Sequence, residues 1–195
     1  MSAMQAGIDG FKYIFIKPAL RVFSFNYALI SSLTFFMFWF YQSLLLDNKF
    51  PLSLQGFIAS GFNMGAIILL LFTGKIQAKI GIRNMLFYSS IIPGILYIGI
   101  FCISGTVMAI AAIFGVTMLR IFRAPMLAAL MNTHITSDNR ATVLSGVSII
   151  ERVLITILYP LAGILTDTSL RWTFLFMGII TLLVAVLTRV EEKHL

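Results

Sequence analysis

VFSFNYALISSLTFFMFWFYQSLLL, residues Val22–Leu46, runs for 25 residues without one charged side chain. Wound as an α-helix at about 1.5 Å per residue it would reach about 38 Å, more than the roughly 30 Å of a bilayer's hydrocarbon core. Asp47-Asn48-Lys49-Phe50-Pro51 follows, bringing two charges, an amide and a proline that ends any helix arriving from before. The same alternation continues outward from this stretch. Apolar runs at Leu52–Gly74, Asn84–Ser104, Gly105–Met131, Ala141–Leu165 and Trp172–Leu187 are separated by short polar segments, of which Lys75–Arg83 and Asn132–Arg140 are the most polar. The pattern predicts an all-α integral membrane protein with six transmembrane helices. It divides the chain into a lead-in at 1–21, a six-helix bundle at 22–190 and a short charged tail at 191–195.

Composition agrees. Hydrophobic residues make up 59% of the chain and charged residues 11%, with a mean hydropathy of +0.99. A soluble domain carries roughly 25% charged residues, so this chain could not clothe a water-facing surface. The net charge of +7 and pI of about 9.9 do not form the clustered basic face that nucleic acid requires. The cations sit between apolar runs instead. With the N-terminus in the cytoplasm, the inside segments hold Lys12, Lys17, Arg21, Lys75, Lys79, Arg83, Arg120, Arg123, Arg140, Arg189 and Lys193, while the outside holds Lys49 and Arg171. The positive-inside rule then puts both termini in the cytoplasm of a multi-pass protein of the cell (inner or plasma) membrane. Residues 1–21 are polar and basic and lack the pattern of a cleavable signal peptide. The single cysteine, Cys102, can build neither a disulfide nor a thiolate metal site.

Pro93-Gly94, Pro125 and Pro160 fall inside predicted helices. Interrupted spans survive in lipid where neighbours or a cavity satisfy the freed backbone groups. A passive anchor has no need of them; a channel or carrier does.

Gly74-Lys-Ile-Gln-Ala-Lys-Ile-Gly81-Ile-Arg83-Asn resembles the G-x-L-x-D-R-x-G-R-R signature of the major facilitator superfamily, in its copy between the eighth and ninth helices. Thr136-Ser-Asp-Asn-Arg140-Ala-Thr-Val-Leu-Ser145 is similar to a cytoplasmic loop of drug-exporter-like members, and Ile16-Lys-Pro18-Ala-Leu-Arg21 to the end of their central linker. The resemblance covers nearly the whole chain, read as the C-terminal six-helix half. It implies half of that superfamily's fold, a bundle of two inverted three-helix repeats. A faint internal echo agrees: Gly163-Ile-Leu-Thr-Asp167-Thr-Ser-Leu-Arg171 parallels the Gly74 segment on the opposite side of the membrane. The family's usual aspartate is replaced by Ala78, which puts in doubt any gate that relies on that carboxylate. Gly74 and Gly81 would allow a tight reversal, and Gly74, Gly81 and Arg83 are candidates for gating or simply for stiffening the loop.

Charges inside apolar spans cost roughly 2.5–3.5 kcal/mol each on insertion scales, so they single out positions with a purpose. Arg120, Arg123, Glu151 and Arg152 are such residues. Glu151 should seek Arg120 or Arg123 on the preceding helix. The result is either a gating or proton-coupling pair, or an ion pair that holds helix ends together. Tyr27, Ser31, Thr34, Phe38 and Tyr41 recur at steps of three and four along one helix face, flanked by Asn26 and Gln42, with Asn63 on the second helix. They suit either a cavity for an apolar solute or hydrogen bonding between helices.

Enzyme chemistry has no foothold. His134 and His194 lie in a loop and the tail, there is no H-E-x-x-H pair, and no acidic cluster holds a metal. No cofactor is expected. The expected function is alternating-access transport of a small hydrophobic solute, with efflux and protons as the direction and coupling ion that the resemblance implies. That mechanism needs a second bundle: a separate or missing N-terminal half, or a homodimer mate. The other reading is a non-transporting scaffold or channel-like assembly of the six-helix unit.

Overall fold

The computed structural model describes residues 12–190; Lys193, His194 and the predicted tail lie outside the described residues, as do the first 11 positions of the lead-in. The described residues form helices and no strand. We number them α1 (Pro18–Asp47), α2 (Gln55–Leu71), α3 (Thr73–Ile80), α4 (Ile82–Cys102), α5 (Thr106–Asn132), α6 (Arg140–Thr168) and α7 (Leu170–Leu187). All but α3 are long and apolar enough to cross a membrane, α2 together with the 3-10 turn Leu52–Leu54 that leads into it.

Hydropathy placed the spans, and local chemistry adjusts their ends. α1 begins at Pro18, within the stretch read as linker, because proline at the first helical turn loses no hydrogen bond and its fixed φ suits a helix. The second span stops short of Gly74. At Phe72 the chain turns, and the Thr73 hydroxyl bonds back to the Leu70 carbonyl at 2.7 Å. The segment read as a loop is then a helix, α3. Its Ile76 and Ile80 are half-buried against α4 and α5, with Lys75 and Lys79 left exposed. Gly74 sits inside α3 with open space about it, so it is not what turns the chain. Gly81 is: its φ of 77° is a conformation L side chains rarely adopt, and it joins α3 to α4.

Pro93, Pro125 and Pro160 all lie inside continuous helices. Successive spans run in opposite directions, and the ends meet where that requires. At one end Asn48 accepts from the Gly105 N–H and Thr106 hydroxyl through its side chain and carbonyl, and Arg171 donates to the Ser104 hydroxyl. At the other, here called the basic end, the Lys17 ammonium donates to the His134 carbonyl at 3.0 Å. Lys17 also stands over the Tyr13 ring and holds the Tyr13 hydroxyl below the usual phenol range.

The most intimate helix pair is α4–α7. A Cβ on Gly178 would stand 2.9 Å from the Gly94 carbonyl oxygen and 3.0 Å from the Ile98 nitrogen, so two backbones touch here through facing glycines. α1 packs against α5, α6 and α7, and α5 also packs against α2 and α4. Exchanging the first three spans for the last three turns the α2–α5 contact into the α6–α1 contact, which is the relation that two three-helix repeats predict. α2 and α6 lie on the flanks. Only 17% of each span is buried, against 33–50% for the other four.

Candidate functional site

Where α1, α5 and α6 meet, a charge pair lies within the spans. The Ser32 hydroxyl on α1, which donates mainly to the Ala28 carbonyl of its own helix, lies 3.3 Å from the Glu151 carbonyl where α6 rests on α1. One Glu151 carboxylate oxygen then stands 3.6 Å from an Arg120 guanidinium nitrogen. The guanidinium lies over the Phe35 ring at 4.6 Å, and the Tyr27 hydroxyl is close to the Glu151 carboxyl. Half-buried charges of opposite sign, covered on one side by an aromatic face, attract more strongly than in water. A group so placed can change partner when the bundle changes its neighbours.

Further along, Tyr159 of α6 reaches into a group of aromatic rings from α1. Its ring centroid is 4.9 Å from Phe36, 5.9 Å from Trp39 and 6.1 Å from Phe35, with Phe38 stacked on Phe35 at 5.9 Å. Phe38 and Trp39 leave this group half-open, 46% and 57% exposed. The pair and the aromatic wall thus share α6, and Phe35 of α1 touches both.

Arg123, three residues after Arg120, has a different fate. It is fully buried and donates to the Leu86 carbonyl and Ser89 hydroxyl, both at 2.8 Å, and to the Asn26 side-chain oxygen. Asn26 in turn donates to the Thr188 carbonyl and hydroxyl at 2.9 Å. This clasp joins α1, α4, α5 and the end of α7 without a carboxylate. Of the two cations offered to Glu151, only Arg120 takes it.

The stripe on α1 keeps its single face but not a single environment. Ser31 and Thr34 are buried, and the Thr34 hydroxyl bonds back to the Ile30 carbonyl at 2.7 Å. Tyr27 lies by Glu151 at one end of the stripe, and Phe38 joins the aromatic wall at the other. Tyr41 packs on Phe62 of α2 at 5.9 Å and accepts from Gln42, while the Asn63 amide is turned back on its own helix, to the Ala59 carbonyl. A continuous cavity wall is therefore not what the five residues make; neighbouring helices cover its middle. Gly74, Gly81 and Arg83 form a separate group in and after α3, with Arg83 half-buried. Arg152 is exposed, and its guanidinium has no hydrogen bond or ion pair among the described residues.

Phe35, Phe36, Trp39 and Tyr159 escaped the reading of the sequence, as did Leu86 and Ser89 and the pairing of Asn26 with Arg123. Tyr159 had a signal: it lies seven and eight residues beyond Arg152 and Glu151, two turns along a helix. Phe35, Phe36 and Trp39 stand among so many aromatics that nothing local distinguishes them. Among the described residues no three His, Cys, Asp or Glu side chains gather to hold a metal.

The family model of the Major Facilitator Superfamily matches residues 25–194. The chain belongs to the major facilitator superfamily. The match takes in all six spans but the first turns of α1, so the bundle described above is a transporter fold of that superfamily. None of the curated proteins compared with it matches.

Proposed function

We propose that this superfamily member moves a small, largely hydrophobic solute across the cell membrane by alternating access, as one six-helix bundle working against a second. Efflux coupled to protons is the form of the reaction that we favour, with both termini in the cytoplasm. The second bundle is a separate N-terminal half or another copy of the chain.

The observation that carries this reading is the Arg120–Glu151 pair between α5 and α6, set near a half-open aromatic wall that α6 shares with α1. A pair serving only to fasten helices gains nothing from standing beside open aromatic surface, and buried ion pairs are weak fasteners in any case. A carboxylate that alternates between Arg120 and a proton, with Tyr27 at hand, would link a charge change to the packing of α1 against α6. The test is Glu151→Gln in cells or proteoliposomes supplied with both bundles, following efflux of an apolar dye. The amide keeps the shape and loses the titration. Expression should be intact and the component of efflux driven by the pH gradient abolished; a variant that still responds to the gradient would overturn the coupling.

A further inference from the structure

α6 carries two exposed faces side by side. Ile149, Val153, Ile157 and Leu161 recur every fourth residue and are 50–58% exposed, a face made for lipid. Next to it Ser145, Ser148, Arg152 and Thr156, at steps of three and four, are exposed as well, and Tyr159 continues the line into the aromatic wall. Ser148 and Thr156 bond back to the carbonyls of Leu144 and Arg152 and make no hydrogen bond to another helix among the described residues. The midpoint of α6 falls at Leu154, two residues beyond Arg152. A span centred on that midpoint holds the Arg152 Cα about 3 Å from the bilayer centre, where reaching a headgroup region takes a long side chain to its limit. Lipid is a costly cover for this face.

We propose that Arg152 receives the acidic group of the transported solute: the solute is an amphiphilic anion whose carboxylate, sulfonate or phosphate meets Arg152 while its apolar body lies against Trp39, Phe38 and Tyr159. The spacing suits this, since Arg152 and Tyr159 are seven residues apart on one line, about 10 Å along the helix. The chemistry suits it too. Glu151, its neighbour in sequence, feels the Arg152 charge but stands at ion-pair distance from Arg120, so the planar Arg152 fork has no carboxylate within ion-pair distance among the described residues. This inference rests on the transport reading of the previous section and adds the class of substrate.

The test compares 2-naphthoate with 2-naphthamide, which differ only in charge, as ligands of the full chain purified in nanodiscs. The anion should bind about tenfold more tightly than the amide, the value of one charge-assisted hydrogen-bonded contact. Arg152→Gln should erase that preference while leaving amide binding alone, and Arg152→Lys should keep part of it. Equal binding of the two probes, or a preference that survives Arg152→Gln, would overturn the assignment. So would a chain dimer that Arg152→Gln dissociates without any probe preference, since Arg152 would then pair with a second copy. Cysteines at Ser148 and Thr156, in a Cys102→Ser background, separate this from the transport reading. If a membrane-impermeant thiol reagent labels them and no anion preference exists, only the substrate class falls; if neither is labelled, the face is dry and both readings fall.

Discussion

Arg123 shows at the scale of one residue how a charge can be kept inside an apolar bundle without a counter-ion. Its planar fork meets three acceptors on two other helices, and dipoles replace a carboxylate. The same residue type three positions earlier pairs with Glu151 and rests on a ring, so the two arginines are held in different ways. Asn26 is the hinge of the clasp, accepting from Arg123 and donating to Thr188. Asn26→Leu would leave a buried guanidinium nitrogen unpaired, with a cost of about 2–3 kcal/mol. Thermal unfolding in detergent should show a clear fall in midpoint, and Asn26→Asp, which restores the acceptor for Arg123 but loses the donation to Thr188, should recover part of it. An unchanged midpoint for Asn26→Leu would mean that the clasp contributes nothing.

Among the elements, the spans themselves were legible because hydropathy over 20 residues needs no partner to be read. Proline-bearing helices were legible for the same reason: α5 runs through Arg120, Arg123 and Pro125 to Asn132, as its apolar pattern required. α3 was not, since eight residues with two lysines read equally as a polar loop until Ile76 and Ile80 have something to lie on. The candidate site was legible only as separate charges and rings. Choosing Arg120 over Arg123 for Glu151 depends on how α5 is rotated about its axis, and that rotation is set by contacts distant in sequence. Glycine pairs are of this kind as well. Gly94 and Gly178 are 84 positions apart, yet each occupies the space in which the other's Cβ would stand. Gly178→Ala places a methyl under 3.0 Å from a backbone oxygen, which no rotamer change relieves. Overpacking of this kind costs about 1–3 kcal/mol. The variant should unfold earlier in detergent, while alanine at Gly163, where nothing lies within 4 Å, should be silent. Equal stability of the two variants would show that the α4–α7 contact tolerates separation.

Across the whole molecule, charge is distributed by end rather than by face. Lys17, Arg21, Lys75, Lys79, Arg83, Arg140 and Arg189 cluster at the basic end, and Lys49 and Arg171 stand at the other. We propose that the six alternating spans turn that asymmetry into an orientation, because loops rich in lysine and arginine are retained in the cytoplasm during insertion. α3 gives the argument a local form. Its apolar edge lies on the bundle and its lysines point away, an arrangement that suits the anionic surface of the cytoplasmic leaflet at about 1 kcal/mol for each cation near the surface. In a Cys102→Ser background, a cysteine at Gln77 should therefore react with an impermeant reagent only after cells are opened, and a cysteine at Ser53 should react in intact cells. The reverse pattern would turn the bundle over. It would place Lys17 and α3 outside, and any gradient-driven efflux through the Glu151 site would have to run the other way.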